Sequence, residues 1–319
     1  MNKLLSIVIP TYSRLESLKS NLFSVLQELQ KYSVAIYITD DSPHSDIESF
    51  VFDFAKYHKH IFYIKNVPRL GHDKNFVIAL KQTRSDYTWI LGDKVGLHQG
   101  AIKTILDLIG KNQYDIISVN KTGRDINTPS GYYSDPVKVF DIFCWHLTYT
   151  GATIYSRSAI QTLHSINMED FKNFPQIALI FTHLSHACSF FWVNERLVYG
   201  LTAKDSYWIN SAFSIFIDDW ERAIYNLPKT YDIVVKKSTI LKHSRKSNLF
   251  NAKFLYKMRM NGNYNSRTVR NYKKLLVDHS NKNYILLYII SVTPKWMIVI
   301  VKALSDLVHS ISKYKKLSK

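Results

Sequence analysis

The chain has 319 residues, and its contents of 46% hydrophobic and 14% aromatic residues exclude an intrinsically disordered protein and allow a large core. Its two cysteines, Cys144 and Cys188, lie far apart, which argues against a disulfide framework or a cysteine metal motif and favours a reducing cytosol. The net charge of +17 is confined to residues 236–319, which hold 19 Lys and Arg against two acids, whereas residues 1–235 hold 23 of each sign. This change in composition marks a separate functional element.

The first ninety residues alternate between the patterns of strands and helices. Short apolar, β-branched runs predict buried strands, and apolar residues at helical spacing predict the helices between them. The strands are predicted over residues 4–9, 34–39, 61–64 and 87–91, and the helices over 15–30, 47–57 and 75–82. Such βαβ alternation predicts an α/β fold with a mostly parallel sheet and right-handed crossovers.

Polar residues follow each of these strands, so the parallel sheet should bring them to one edge. In open α/β sheets, ligands bind in the crevice at the carboxyl ends of the strands. The residues expected there are Tyr12, Asp40, Asp41, Arg69, Gly71, Asp93 and Lys94. Carboxylates can accept hydrogen bonds from a base or ribose, and Arg or Lys can neutralise phosphate, so the set predicts a nucleotide-diphosphate site. The sequence contains no G-x-G-x-x-G or P-loop pattern, which argues against a dinucleotide or P-loop site.

Four short motifs carry a resemblance to a known family. They are SIVIPTYSR at 6–14, ITDDSP at 38–43, RLGHDKN at 69–75 and WILGD at 89–93. In this order and spacing they resemble family 2 glycosyltransferases, which have the nucleotide-sugar-binding fold called GT-A. The last motif resembles the bacterial surface-polysaccharide branch, including its abequosyltransferase-like members. The resemblance covers about the first 100 residues.

The resemblance implies a nucleotide-sugar site. It assigns the loop around the nucleotide to Pro10, Thr11, Tyr12 and Arg14, and a base contact to Asp40 with Asp41 beside it. It assigns the diphosphate side to Arg69, Gly71 and Asn75, and the end of the fourth strand to Gly92, Asp93 and Lys94. Two alternatives stay open. Asp41 is equally suited to a helix cap or an Asx-turn, and Asn75 to capping the loop before its helix.

The sequence departs from the family at the metal motif. The resemblance implies two or three acids that hold Mg²⁺ or Mn²⁺, but here only Asp93 is present, followed by Lys94. One carboxylate could supply part of a hard cation site together with substrate phosphates. Three options remain: metal-free transfer with Lys94 as the electrostatic stabiliser, a weak metal site at Asp93, or lost activity. We rank them in that order.

The acceptor side is expected further along the chain. A helix is predicted over 98–109, a strand over 115–119 and a polar loop over 120–137. Residues 145–157 resemble the family's acceptor-side segment, in which a glycine lets the substrate approach, and this makes Trp145 and His146 candidate acceptor contacts. A buried core position is the alternative for Trp145.

An inverting transfer needs a general base to deprotonate the acceptor hydroxyl. The resemblance implies an Asp or Glu after the acceptor segment, where Glu169 and Asp170 stand. We place Asp170 first, Glu169 second and His146 third. The alternative for the two acids is the first turn of a helix, where acidic residues are favoured.

Residues 207–319 are predicted to be helical, basic and membrane-associating. Residues 284–301 are the most apolar stretch, but Pro294 divides them into pieces too short to span a bilayer. Apolar pieces flanked by lysines suit anchoring at an anionic lipid surface, with Trp296 at the headgroup level. The basic residues that end the chain are Lys313, Lys315, Lys316 and Lys319. The alternative is a helical subdomain with a buried apolar hairpin.

Together these features predict a glycosyltransferase domain over 1–206 and a C-terminal region over 207–319. The expected function is inverting transfer of a sugar from a nucleotide-sugar to a lipid-diphosphate-linked saccharide, for capsule or O-antigen, at the cytoplasmic face of the cell membrane. Two rivals are an inactive scaffold homologue, suggested by the missing acids, and a nucleic-acid-binding protein, suggested by the basic tail. No recognised nucleic-acid motif is present, so we expect no nucleic-acid partner.

Overall fold

The computed structural model describes residues 2–201 and 207–300, and these form two compact units. The first comprises residues 2–201 with 213–240, and the second comprises residues 207–212 with 241–300. Residues 213–240, which the sequence analysis assigned to the C-terminal region, pack with the first unit.

One sheet lies at the centre of the first unit. Among the described residues it contains β1 (Leu5–Thr11), β2 (Ala35–Asp40), β3 (Ile61–Lys65), β4 (Tyr87–Ile90), β5 (Val95–Leu97), β6 (Ile116–Lys121), β7 (Gly131–Tyr133), β8 (Thr153–Ser156) and β9 (Phe190–Gly200). The strand order is β3-β2-β1-β4-β8-β6-β9-β5. Strand β7 lies off this path and pairs with residues 190–192 of β9.

Six strands of this sheet run in one direction. Strands β1 to β4 are parallel, β8 is antiparallel to both β4 and β6, and β9 is parallel to β6. Strands β5 and β7 are antiparallel to β9. The carboxyl ends of β1, β2, β3, β4 and β6 therefore lie at the same edge, and the predicted mostly parallel α/β sheet is confirmed.

Helices connect the strands of the first unit. They are α1 (Leu15–Tyr32), α2 (Asp46–Phe54), α3 (His72–Gln82), α4 (Ala101–Ile109), α5 (Pro136–Leu147), α6 (Arg157–Gln161) and α7 (Pro175–His186). Helix α8 (Trp220–Asn226) follows the sheet, and α9 (Ile233–Lys246) begins in the first unit and ends in the second. Short 3₁₀ turns cover Thr150–Ala152, Thr162–Ser165 and Met168–Phe171, and a π-helical turn at Ser214–Asp219 leads into α8. The second unit contains a 3₁₀ turn at Tyr207–Ser211, α10 (Ala252–Met260), α11 (Ser266–Asn271), α12 (Lys273–Ser280) and α13 (Tyr284–Val292).

Apolar patterning explains why these elements pack as they do. Every residue of β2 is buried, as expected for a strand covered on both faces. In α1 the buried residues Leu18, Leu22, Val25 and Leu29 recur at helical spacing and face the sheet. Burying each of these side chains stabilises the fold by about 1.5–3 kcal/mol.

Two predicted boundaries differ from the structure. Helix α3 begins at His72 rather than at residue 75, because Gly71 adopts φ +84° and forms the helix start itself. The loop expected over 120–137 contains β7 and the first turn of α5. Strand β7 has three residues and gains its strand conformation from pairing with β9, which a local pattern does not reveal.

Gly151 fixes the position of the loop that follows β4. A Cβ atom at Gly151 would lie 2.6 Å from Cγ1 of Val95, and the Gly151 carbonyl accepts a hydrogen bond from Trp89 Nε1 at 3.0 Å. The resemblance gave this glycine the role of admitting substrate. In the structure its missing side chain is explained instead by close packing against Val95.

We predict that Gly151→Ala destabilises the protein by about 1–3 kcal/mol, because the buried methyl group meets Val95 and the core must shift. Urea denaturation measures this loss. Gly131→Ala is the matched control, since a Cβ there meets no atom within 4 Å. Equal stability of the two variants would show that the loop after β4 can move to accommodate the added methyl group without loss of stability.

Candidate active site

Asp40, at the end of β2, is completely buried and fully engaged. Its Oδ2 accepts hydrogen bonds from Tyr63 at 2.7 Å and from Lys65 Nζ at 2.9 Å, and its Oδ1 accepts from the Ser42 N–H at 2.8 Å. Its carboxylate therefore holds the turn after β2 and neutralises Lys65. In this conformation Asp40 does not present a free oxygen to a nucleotide base.

Asp41 organises the loop that leads into α3. Its Oδ1 accepts from the Leu70 N–H at 2.7 Å, and its Oδ2 accepts from the Gly71 N–H at 2.8 Å. Asn66 donates to both Asp41, at 3.1 Å, and Asn75, at 3.0 Å. Asp41 and Asn75 are both almost completely buried, so they shape the loop before α3 from beneath.

Tyr12 and Arg69 form the exposed rim of the same edge. The Arg69 guanidinium lies 4.2 Å from the centre of the Tyr12 ring, a cation–π contact. The Arg69 side chain is 61% exposed, and Tyr12 is 41% exposed. Arg69 Nε also lies 3.5 Å from Asp41 Oδ2, so the exposed part of the guanidinium stands at this rim with one side held by Asp41.

Asp93 lies just beyond β4 and is paired with groups from the end of β1. Arg14 Nη1 is 3.2 Å from Asp93 Oδ1, and Thr11 Oγ1 donates to Asp93 Oδ2 at 3.2 Å. The Asp93 side chain is only 7% exposed. Burial raises the pKa of Asp93, and Arg14, Thr11 and Lys94 oppose that rise.

The residues present do not fit a divalent-cation site of the usual kind. Asp93 is the single acid at the end of β4, and both of its oxygens are occupied by Arg14 and Thr11. The two other acids of this edge, Asp40 and Asp41, are buried, and both carboxylate oxygens of each already accept hydrogen bonds. In the part of the chain that the structure describes, no three His, Cys, Asp or Glu residues are grouped so that they could hold a metal. The metal role expected for Asp93 therefore lacks a supporting donor set.

The two candidate acceptor contacts near residue 145 lie in the core. His146 is fully buried, with Nε2 2.9 Å from the Val119 carbonyl and Nδ1 3.1 Å from the Arg124 carbonyl. Burial and the charge of Arg124 lower the pKa of His146 to about 3. A neutral buried imidazole cannot reach an acceptor hydroxyl, so the structure does not bring His146 into the site. Trp145 is 6% exposed and packs under Arg124, which matches the core alternative.

The candidate bases Glu169 and Asp170 are both exposed on the 3₁₀ turn Met168–Phe171. Asp170 Oδ2 accepts from Asn167 Nδ2 at 3.0 Å, which limits the rotation of its carboxylate. The turn starts no helix of its own, because α7 begins only at Pro175. Asp170 is therefore solvent-accessible and partly oriented.

Two hydrogen bonds connect Asn173, just after this turn, to α3 and to the turn before α8. The Asn173 N–H donates to Asp73 Oδ2 at 2.9 Å, and Asn173 Nδ2 donates to Asp219 Oδ2 at 2.7 Å. Asp73 lies in the first turn of α3, directly after the loop that Asp41 holds. Asp73, Asn173 and Asp219 were not predicted from the sequence. Asp73 and Asn173 are 100 residues apart along the chain, and Asn173 and Asp219 are 46 residues apart. The positive φ of +66° at Asn173 leaves no reliable mark in the sequence.

The sheet and its polar strand ends place this protein among α/β proteins that bind ligands at one edge of a parallel sheet. Residues 6–196 match the family model described as Glycosyl transferase family 2, so the chain belongs to glycosyl transferase family 2. The resemblance seen in the four sequence motifs is confirmed.

Among curated proteins, the chain is similar to abequosyltransferase RfbV of Salmonella typhimurium. The two are 32% identical over 127 residues, which is 39% of this chain and 38% of that protein. The similarity thus spans little more than a third of the relative's length.

Solved structures share the fold. S. aureus TarS 1-349 in complex with UDP-GlcNAc has a TM-score of 0.56 at 12% identity, covering 76% of this chain and 72% of that one. Mannosyltransferase PcManGT from Pyrobaculum calidifontis, solved with GDP-Man and Mn²⁺, has a TM-score of 0.54 at 11% identity, covering 95% and 87%. The predicted GT-A fold is confirmed.

We predict that Asp93→Asn does not lower the unfolding temperature at pH 7 and raises it slightly. Because burial raises the pKa of Asp93 in the folded state, its charge opposes folding, and stability falls as the pH rises through the folded pKa. Below the pKa of the unfolded chain the carboxyl is neutral in both states, and the difference between variant and wild type should vanish. Thermal unfolding followed from pH 3 to pH 7 measures both effects.

Asp53→Asn is the control for this titration, since the Asp53–Lys56 pair is well exposed and contributes little. A clear loss of stability in Asp93→Asn at pH 7 would mean that attraction to Arg14 exceeds the cost of burying the carboxylate.

Proposed function

We propose that the protein transfers a sugar from a nucleotide-sugar donor to a lipid-diphosphate-linked saccharide, with inversion at the anomeric carbon. The observation that carries this proposal is the grouping of Arg14, Asp93, Tyr12 and Arg69 at one sheet edge, with the Asp170 turn tied to the same loop through Asp73. Asn173, three residues after Asp170, is thereby hydrogen-bonded to the first turn of α3, which follows the loop that carries Arg69.

The donor diphosphate would lie between the rim and the end of β4. Arg69 is exposed on one side, while Arg14 and Lys94 flank Asp93 on the other. The first turn of the eleven-residue α3 points positive helix charge at the same region, because its N-terminus follows Gly71. With Asp93 already paired to Arg14, these side chains supply the positive charge that stabilises the leaving diphosphate.

Asp170 would act as the general base. The acceptor hydroxyl oxygen attacks the anomeric carbon as its proton passes to the Asp170 carboxylate. The bond from that carbon to the diphosphate oxygen breaks, and the nucleoside diphosphate leaves with the electron pair. Glu169, one residue earlier on the same exposed turn, is the second candidate.

The proposed acceptor and pathway are supported by similarity to known proteins. Similarity to an abequosyltransferase supports a surface-polysaccharide role such as O-antigen, and the capsule remains the other expected product. Neighbours solved with UDP-GlcNAc and with GDP-Man support a nucleotide-sugar donor without choosing the base.

The scaffold alternative is favoured by one observation, the pairing of Asp93 with Arg14 in place of an acidic metal cluster. The two alternatives differ in nucleotide binding: the enzyme would bind its donor nucleotide, and a scaffold would not.

We predict that one of UDP, GDP, dTDP and CDP binds to the purified chain, and that binding survives EDTA because Arg14, Lys94 and Arg69 provide the charge. Calorimetric titration of each nucleotide with Mn²⁺ and with EDTA measures this. Asp170→Asn should retain that binding and lower sugar transfer to membranes carrying lipid-linked saccharides by about 10²–10⁴-fold.

Glu169→Gln is the matched control, since it changes the adjacent exposed carboxylate. Transfer equally impaired in both variants would contradict the assignment of Asp170, and wild type that binds no nucleotide in either buffer would support the scaffold. Binding that requires Mn²⁺ would keep the enzyme and overturn the metal-free mechanism.

The second unit is proposed to attach the protein to an anionic membrane surface. None of the described helices has the length and apolar character needed to cross a bilayer. Large apolar side chains are nevertheless exposed on α13 and on the helical residues 295–300 that follow it: Ile285 (70%), Ile289 (51%), Trp296 (65%) and Val299 (53%). Interleaved apolar and basic residues of this kind favour interfacial binding. The terminal lysines 313, 315, 316 and 319 lie outside the described residues.

We predict that the protein floats with vesicles containing phosphatidylglycerol and not with pure phosphatidylcholine, and that the double change Ile285→Ser and Trp296→Ser abolishes flotation. The anionic lipid attracts the basic residues, and the two side chains insert apolar area. Phe52→Ser removes an equally exposed aromatic residue (76%) of the first unit and serves as the control. Retained flotation of the double variant, or salt-sensitive DNA binding in place of lipid binding, would contradict the proposal.

A further inference from the structure

Two basic side chains converge where β6 ends, on the edge of the sheet that carries the nucleotide-side residues. Lys121 is the last residue of β6, and the Arg124 N–H donates to the Lys121 carbonyl at 3.0 Å. Gly123 closes this turn at φ +79°, a conformation that other residues rarely adopt. We call Lys121, Arg124 and Tyr149 the basic turn cluster.

Arg124 is largely buried and only partly satisfied. Its Nη2 donates to the Trp145 carbonyl and, at 2.6 Å, to Thr148 Oγ1, so it caps the C-terminus of α5. Its Nε is buried and has no hydrogen-bond partner. Leaving a buried donor unpaired costs about 1–3 kcal/mol, and more for a charged group. Capping therefore explains one nitrogen of the guanidinium and leaves another without an acceptor.

Lys121 places a second positive charge beside Arg124. Its Nζ lies 4.8 Å from the centre of the Tyr149 ring and donates to the Thr122 carbonyl at 3.0 Å. Burial and the charge of Arg124 both lower the pKa of Lys121. Like charges in a half-buried position are unfavourable unless an opposite charge joins them.

The described residues supply only part of that opposite charge. The acid next in sequence, Asp125, raises the pKa of Lys121 but forms its ion pair with Arg196. Across residues 2–201 and 207–300, no carboxylate lies within ion-pair distance of Lys121 or Arg124. The unpaired Nε and the partly compensated charges both point to an anionic ligand.

A short segment connects the cluster to elements of the proposed transfer site. Tyr149 lies two residues before Gly151, which packs against Val95 directly after Lys94. Thr148 accepts a hydrogen bond from Gln176 Nε2 at 3.1 Å, and Gln176 lies in the first turn of α7, just past the Asp170 turn. One short segment, residues 148–151, thus contacts the cluster, the loop after β4 and the helix that follows the candidate base.

We propose that Lys121 and Arg124 form an anion site that binds a phosphate group of the acceptor. The inference rests on the proposed function, because it assigns the cluster to the second substrate rather than to the donor. On binding, Arg124 reorients so that its Nε, buried in the free protein, donates to a phosphate oxygen. Lys121 contributes a point charge, and Tyr149 provides an aromatic wall. The bound phosphate group is part of a lipid-linked diphosphate or of a molecule without a lipid, and both sources offer the same phosphate oxygens.

The test uses the full chain saturated with the nucleoside diphosphate that binds, so that the donor side is filled. Inorganic pyrophosphate is then titrated by calorimetry into wild type, Lys121→Gln and Arg124→Lys. We expect wild type to bind one equivalent, and both variants to bind at least tenfold more weakly. Lys138→Gln is the matched control, because Lys138 makes a similar contact with Tyr133, 5.8 Å from its ring centre, and should leave the affinity unchanged.

A second arm replaces pyrophosphate with geranyl diphosphate. Tighter binding that still depends on Lys121 identifies a lipid-linked phosphate, and equal affinity identifies a phosphate without its lipid. Absence of pyrophosphate binding to nucleotide-saturated wild type, or equal affinity in Lys121→Gln and wild type, overturns the anion site. Either result leaves nucleotide binding intact and so is distinct from failure of the proposed function, in which no nucleoside diphosphate binds.

Discussion

Three carboxylates buried at the carboxyl edge of the sheet constrain the rest of this site. Removing a carboxylate from water costs several kcal/mol unless a partner and further hydrogen bonds compensate it. Asp40 is compensated by Lys65 and Tyr63, Asp41 by backbone N–H groups of the 66–71 loop, and Asp93 by Arg14 and Thr11. Each of these acids therefore fixes a loop.

The same pairing of buried acids affects the charge of the exposed surface at this edge. Because the acids of this edge are buried and paired, the side chains left near the surface are mostly cationic, among them Arg69 at the rim and Lys121 at the end of β6. Both proposed substrates carry phosphate, one as the leaving group and the other as the carrier of the acceptor. A cationic edge suits both, and Arg14 provides at Asp93 one positive charge where a divalent ion would provide two.

Much of the fold was predictable because its signals are local. The β-branched runs of β1 to β4 and the apolar spacing of α1 depend on neighbours in sequence, and burial on both faces made those runs continuous. Strands β5 and β7, each three residues long, were missed because pairing with β9 creates them. The start of α3 was misplaced because the conformation of Gly71 decides it.

The common sheet edge of the polar strand ends was predictable, whereas the pairing of these residues was much less so. Strand ends indicated Asp40, Asp41 and Asp93, but residue type alone does not tell whether a carboxylate faces a ligand or holds a loop. The partner of Asp93 is 79 residues away, and the choice of Arg14 over Lys94 as its ion-pair partner depends on β1 lying beside β4. His146 shows the reverse error, since a residue of suitable chemistry in a suitable segment is turned into the core by α5. Backbone topology decides which polar residues meet, and local sequence carries that information only where neighbouring strands are also neighbours along the chain.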